Sequence, residues 1–198
     1  LLLELWLNCF LKGRIKAFQE LKMNEDLALL AELVKRRNAL EEEIARLDTA
    51  GNIGNLGEFI AAQIFDLRLA GSGSNKAYDG WFTTGELAGK NVNVKWYSRY
   101  ESVLDITPNT LPDYYLVLVG PRPLNTDREL GTRSWSIDAV YLFDAIELYT
   151  ELKDRGVAIG IASSLHRGLW KAAEIYPNAR NTKISLNERQ KQALALYK

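Results

Sequence analysis

The chain has 198 residues, of which 47% are apolar, 10% aromatic and 25% charged. These fractions are typical of a globular protein and exclude a disordered or collagen-like chain. Basic and acidic residues number 25 each, so the total charge neither indicates nor excludes a nucleic-acid partner. A single cysteine, Cys9, and a single histidine, His166, exclude an internal disulfide framework and a His/Cys zinc cluster.

The sequence predicts no membrane segment and no secretory signal. No apolar run reaches the ~18 residues that cross a bilayer. The apolar opening, residues 1–11, carries Glu4 and Asn8 and lacks both a preceding basic stretch and a cleavage motif. A lone cysteine is typical of a reducing compartment, so we expect a cytoplasmic protein without a membrane partner.

The first 50 residues are predicted to form a helical arm. Apolar residues recur at three- and four-residue steps within residues 14–47, which is typical of an amphipathic helix. Arg37 interrupts that stripe, so the pattern favours a helical hairpin or a dimer arm over a long coiled coil. Residues 1–11 and 27–47 are therefore the candidate surfaces of a homodimer.

Residues 51–198 are predicted to form an α/β domain. A helix over about 54–67 has Glu58 off its apolar stripe, and after it the period changes to two, which indicates strands. We expect strands at 78–82, 91–97, 114–119, 139–143 and 157–162, a helix at 145–153, and a last helix opened by a capping box at 185–188. The fold class is a mixed β-sheet flanked by helices and preceded by the helical arm.

Polar residues of two neighbouring strands are candidates for a metal site. Asn93 and Lys95 lie on one face of their strand, about 7 Å apart, and Asp79 lies in the strand before it. Carboxylate and amide oxygens are hard ligands suited to Mg²⁺ or Mn²⁺. An ammonium group beside them can orient a water molecule and offset charge on a phosphate. The spacing alone is common in half-polar strands.

Four segments in order resemble the PD-(D/E)XK nuclease superfamily, which includes restriction endonucleases and Holliday-junction resolvases. They are the helix with Glu58, Tyr78-Asp79-Gly80, Val92-Asn93-Val94-Lys95-Trp96, and the buried run at 112–119. The resemblance is to an uncharacterised restriction-endonuclease-like group with a YD strand and a QXK strand. It implies a restriction-endonuclease-like fold and metal-dependent hydrolysis of DNA phosphodiester bonds, in restriction or DNA processing.

The resemblance also implies a role for each matching residue. Asp79 is then the metal-binding acid, and Lys95 positions the attacking water. Asn93 takes the acidic or glutamine position and, with the carbonyl of Val94, completes the metal shell. Glu58 matches a helix acid that supports the metal. Asn93 departs from the pattern because it is neutral, and a lost ligand charge weakens affinity for a hard cation.

The C-terminal segment, residues 155–198, is the predicted contact with DNA. It carries eight basic and two acidic residues, and such a tract is typical of phosphate recognition as well as of solvated helix surfaces. Two other functions remain open at this point. The chain is then a non-catalytic DNA-binding module on the same fold, or a protein-interaction component that acts through its helical arm.

Overall fold

A computed structural model describes residues 2–47, 52–71, 77–122 and 135–198. The chain divides into two compact units, residues 1–51 and residues 52–198. The predicted boundary at 50/51 lies outside the described residues. None of the described helices is both long enough and apolar enough to cross a bilayer.

The first unit is one long helix, α1 (Leu2–Ala45). The hairpin alternative is wrong, because the helix continues through residues 30–40 without a break. Arg37, which interrupts the apolar stripe, instead pairs with Glu41 one turn later at 2.6 Å. The stripe lies open to solvent, with Leu30 at 56%, Leu33 at 49% and Leu40 at 59% exposure.

The second unit contains a six-stranded mixed sheet. The described part of this unit has eight strands in two sheets: β1 (Leu67–Leu69), β2 (Gly80–Phe82), β3 (Asn91–Tyr97), β4 (Val103–Leu104), β5 (Tyr114–Val119), β6 (Ala139–Asp144), β7 (Ser163–Ser164) and β8 (Glu174–Tyr176). The large sheet has the spatial order β1-β2-β3-β5-β6-β8, and β4 pairs with β7 separately. Only the β3–β5 pair of the large sheet is parallel. The predicted strands 91–97 and 114–119 are confirmed.

Helices cover both faces of this sheet. They are α2 (Ile53–Phe65), α3 (Ala145–Asp154), α4 (Arg167–Ala173) and α5 (Glu188–Ala195). One core includes Ile60 of α2 and Leu194 of α5, and the other includes Leu148 of α3 and Trp170 of α4. Strand β5 contributes alternate residues to both cores, and each fully buried Leu or Val there stabilises the fold by about 1.5–3 kcal/mol. A mixed sheet flanked by helices is thus confirmed.

Two predicted elements differ from the structure. Residues 157–162 form no strand: the N–H of Val157 bonds the carbonyl of Leu152 at the end of α3, and Ile161 is 93% exposed. The capping box of the last helix begins at Asn187, with Gln190 as its reciprocal partner, two residues later than predicted. Ser185 lies outside that helix. In both cases local hydrogen bonds, to the end of α3 and within the first turn of α5, decide the backbone path.

Candidate metal site

The centre of the site is the point where β2 meets the middle of β3. The two strands pair Gly80 with Val92, and Asp79, just before β2, donates its N–H to the carbonyl of Val92 at 2.9 Å. The Asp79 carboxylate accepts a hydrogen bond from the N–H of Val94 at 2.6 Å through Oδ2. One carboxylate oxygen is therefore fixed by the backbone, and the other remains available to a ligand.

The carbonyl of Val94 lies on the same side of β3 as Asp79. In a strand, the N–H and C=O of one residue point toward the same neighbour. Because the N–H of Val94 bonds the Asp79 carboxylate, its carbonyl also faces the Asp79 side. The predicted backbone ligand therefore lies near the predicted acid.

Asn93 is buried, with an exposure of only 8%. Its amide nitrogen donates to the carbonyl of Ala77 at 3.5 Å. Its Oδ1 is buried and accepts no hydrogen bond within the described chain. A buried polar oxygen without a donor is uncommon and costs free energy, and a bound cation would remove that cost.

Lys95 is half-buried in the interior of the sheet, because β3 lies between β2 and β5. The neighbouring Val94 and Trp96 pack into the core under α2, so Lys95 projects from the opposite face, the face of Asn93. Burial raises the pKa of both Asp79 and Glu58, and the positive charge of Lys95 opposes that rise. The lysine is therefore close to two acids and is not an isolated surface residue.

Glu58 lies on α2, which packs closely on β3. A Cβ at Gly57 would lie 3.0 Å from the Cβ of Trp96, so this glycine allows the close contact. Glu58 follows directly in the helix and is half-buried.

The pKa of the Glu58 carboxyl depends on the charge of the Asp79 carboxylate. Burial raises the pKa of Glu58, and the charge of Asp79 raises it further, while Lys95 opposes both. Burial also raises the pKa of Asp79, against the opposing effects of the Val94 N–H and Lys95. Two partly desolvated acids, of which Asp79 raises the pKa of Glu58, form a site that favours a bound cation.

The structure thus places Asp79 against the backbone of Val94, next to Asn93 in β3, and within electrostatic reach of Glu58 and Lys95. Their donors fit Mg²⁺ or Mn²⁺, since they are carboxylate, amide and carbonyl oxygens. No group of three or more His, Cys, Asp or Glu side chains suited to a metal occurs in the ranges that the structure describes. The donor set is therefore two acids supplemented by neutral oxygens.

The basic segment 155–198 is less uniform than its sequence indicates. Five of its eight cations are ion-paired locally, namely Arg155, Arg180, Lys183, Arg189 and Lys191. Arg167 and Lys171 make no ion pair within the described residues and lie beside Arg122, which the sequence analysis missed because it is far away in the chain. His166 caps α4, with Nδ1 accepting from the N–H of Gly168 at 3.1 Å.

No protein-family model matches this chain, and no curated protein matches it significantly. A function for this chain is therefore inferred from the arrangement of Glu58, Asp79, Asn93 and Lys95.

Proposed function

We propose that this chain is a metal-dependent nuclease that hydrolyses DNA phosphodiester bonds, of the restriction or DNA-processing type, on a restriction-endonuclease-like fold. The observation that carries the proposal is the cluster at β2 and β3. The positive charge of Lys95 acts on two partly buried acids, Glu58 and Asp79. Asn93, whose buried Oδ1 has no hydrogen-bond donor in the described chain, lies in β3 between Val92 and Val94, the two residues whose backbone bonds Asp79.

The residues divide into metal ligands and a water-orienting group. Asp79, Asn93 Oδ1 and the carbonyl of Val94 would hold Mg²⁺ or Mn²⁺, with Glu58 as a supporting acid. Bound metal supplies Lewis-acid stabilisation of negative charge on the phosphate. Oδ2 of Asp79 stays on the Val94 N–H, which fixes the carboxylate while its other oxygen binds.

Lys95 positions the water molecule that acts as the nucleophile. Its ammonium group donates a hydrogen bond to a water molecule and holds it for in-line attack on phosphorus. The water oxygen forms the new bond to phosphorus as the bond to the leaving oxygen breaks, and the proton that the water loses is passed through solvent to the leaving oxygen. The same positive charge offsets the charge that develops on the phosphate oxygens.

A direct assay tests the proposal. Supercoiled, linear and branched DNA are incubated with the pure chain in Mn²⁺, with EDTA as the control, and products are separated on gels. We expect cleaved DNA in Mn²⁺ and none in EDTA. Salt-dependent binding without cleavage would instead identify a non-catalytic DNA-binding module, and neither activity would identify a protein-interaction component.

The neutral ligand at position 93 gives a further prediction. Asn93→Asp adds a charged oxygen at the same side-chain length, so Mg²⁺ binding should tighten by about tenfold. At saturating Mg²⁺, that adds about 1.4 kcal/mol of metal-induced stability, or roughly 3–6 °C in Tm. Without metal the added charge should lower stability at neutral pH, because it lies beside Asp79.

Thermal melts of both proteins, with EDTA and with millimolar Mg²⁺, measure this difference. Asn55→Asp serves as the matched control because Asn55 is exposed on α2. Equal metal-induced shifts in the parent and Asn93→Asp would show that residue 93 is not a ligand.

We propose further that the chain is a homodimer through α1. Leu30, Leu33, Leu40 and Ile44 follow one another at steps of three, seven and four residues, which is the heptad spacing of a coiled-coil seam with Arg37 at the skipped position. The three leucines are about half exposed. The basic block 35–37 lies one turn before the acidic block 41–43. Antiparallel pairing about residues 38–39 places each block opposite its complement, whereas in-register parallel pairing places like charges together.

Light scattering on the full chain at micromolar concentration tests this pairing. We expect a dimer for the parent and a monomer for Leu33→Glu/Leu40→Glu, because two acids would be buried in the seam. The control Ala31→Glu/Asn38→Glu adds the same charge to exposed positions outside the seam and should remain dimeric. A monomeric parent, or a dimeric seam variant, would contradict the proposal.

A further inference from the structure

A basic cleft lies beside β6, apart from the residues of the metal site. Its volume is about 680 Å³, within the range of ligand-binding clefts. The residues that matter come from loops after β3, β5 and β8 and from α4: Tyr100, Arg122, Arg167, Trp170, Lys171 and Arg180.

The cleft has an excess of positive charge. Four cations line it, against one acid, Glu174. Arg180 pairs with Glu174 at 3.0 Å, and Arg122 lies over the ring of Tyr100 at 4.9 Å. Arg167 and Lys171 are exposed and have no acidic partner in the described part of the chain. Unpaired cations in a cleft favour an anionic ligand.

The floor of the cleft is rigid. Trp170 is only 3% exposed and makes edge-to-face contacts with Tyr100, Tyr141 and Phe143, at centroid distances of 5.3, 4.8 and 5.1 Å. Arg167 and Lys171 flank this tryptophan on α4. The backbone that bears Arg167 and Lys171 is therefore already fixed by packing, so less conformational entropy is lost when a ligand binds.

The sheet register relates this cleft to the metal site. Lys95 of β3 pairs with Val117 of β5, and Val117 pairs with Tyr141 of β6, a residue that lines the cleft. Residues in one cross-strand row lie on one face of a sheet, about 4.8 Å apart from strand to strand. The backbone of Tyr141 is therefore about 10 Å from that of Lys95, and both residues lie on one face of the sheet.

We propose that this cleft binds backbone phosphates of a nucleic-acid strand whose cut phosphodiester bond lies at Lys95, on the same face of the sheet. Guanidinium groups suit this role because their planar donors match phosphate oxygens. The placement of the cut bond rests on the proposed function; phosphate binding by the cleft does not.

The test compares two double variants with equal charge loss. Arg167→Gln/Lys171→Gln removes the unpaired cations, and Lys153→Gln/Lys191→Gln removes two exposed lysines outside the cleft. Binding of a labelled 15-nucleotide single strand of mixed sequence is followed by anisotropy in EDTA across a salt series. For two lost phosphate contacts, the slope of log affinity against log salt should fall by about 1.4 in the cleft variant and stay at the parent value in the control.

Two outcomes overturn the proposal: an unchanged slope in the cleft variant, or an equal fall in both variants. Circular dichroism melts verify that each variant folds, as expected for exposed side chains. Because the binding is measured in EDTA, it does not depend on hydrolysis. If the cleft variant has a reduced slope but the parent does not cleave DNA in Mn²⁺, the nuclease proposal is refuted and phosphate binding by the cleft stands. If the parent cleaves DNA but the slope of the cleft variant is unchanged, the cleft proposal is refuted and the nuclease proposal stands.

A cleaved substrate tests the same contact independently. Single neutral methylphosphonates are placed in turn at the positions that flank the cut bond. One position should raise the KM of the parent and leave that of Arg167→Gln/Lys171→Gln unchanged. Equal effects in both proteins at every position would contradict a phosphate contact in the cleft.

Discussion

Lys95→Ala is expected to reduce DNA cleavage by about 10²- to 10³-fold, the range found when a group that stabilises transition-state charge is removed. The lysine lies in the field of Glu58 and Asp79, and its removal leaves neither a group to hold the water nor a charge to offset the phosphate. Single-turnover cleavage in saturating Mn²⁺ measures the effect. The fold should be retained, because Lys95 is half-buried and belongs to neither apolar core.

Lys90→Ala is the matched control for that variant. Lys90 precedes the same strand, its side chain is 54% exposed, and its ammonium group pairs with the carboxylate of Asp113 at 3.6 Å. It should cleave at the parent rate. If Lys95→Ala also cleaves at that rate, β3 is not the catalytic strand.

Asp79→Asn is expected to abolish metal binding and to stabilise the metal-free protein at neutral pH. Burial raises the folded-state pKa of Asp79 above its ordinary value of 3.8. Between the ordinary and raised values the folded chain holds more protons than the unfolded chain, so stability falls as pH rises through that window. Asparagine removes this loss, and its oxygen can still accept the hydrogen bond from Val94.

Denaturant unfolding at pH 4 and pH 7 in EDTA tests the sign. The stability of the parent should decline relative to Asp79→Asn between the two pH values, and only the parent should gain stability from Mg²⁺. Asp154→Asn, at the exposed end of α3, provides the control and should follow the parent. Equal Mg²⁺ stabilisation of the parent and Asp79→Asn would remove Asp79 from the ligand set.

Local sequence patterns predicted the central strands well because their signal is periodic and strong. Residues 91–97 alternate in burial tendency and 114–119 form a continuous apolar run, and both match the observed strands. The apolar run at 157–162 was wrongly predicted as a strand. It forms a loop, in which the carbonyl of Gly160 accepts a hydrogen bond from the N–H of Ile106. Strand β8 was missed because its pairing with β6 is a long-range interaction.

The candidate site was predictable only where its residues lie in one hairpin. Asp79 and Lys95 come from adjoining strands, so their sequence spacing brings them together. The position of Glu58 depends on the packing of α2, which Gly57 allows against Trp96, and no local pattern reports that contact. The basic cleft depends on still more distant segments, since Tyr100, Arg122 and Arg180 meet only after the sheet has formed.

The hydrogen bond from Val94 to the Asp79 carboxylate has an evolutionary consequence. The side chain supplies the acceptor that the backbone would provide if β2 began earlier, so it marks the start of that strand. Selection for folding alone therefore favours an acid or amide at position 79. Under the proposed function, retention of Lys95 among diverging descendants is then a better record of catalysis than retention of Asp79.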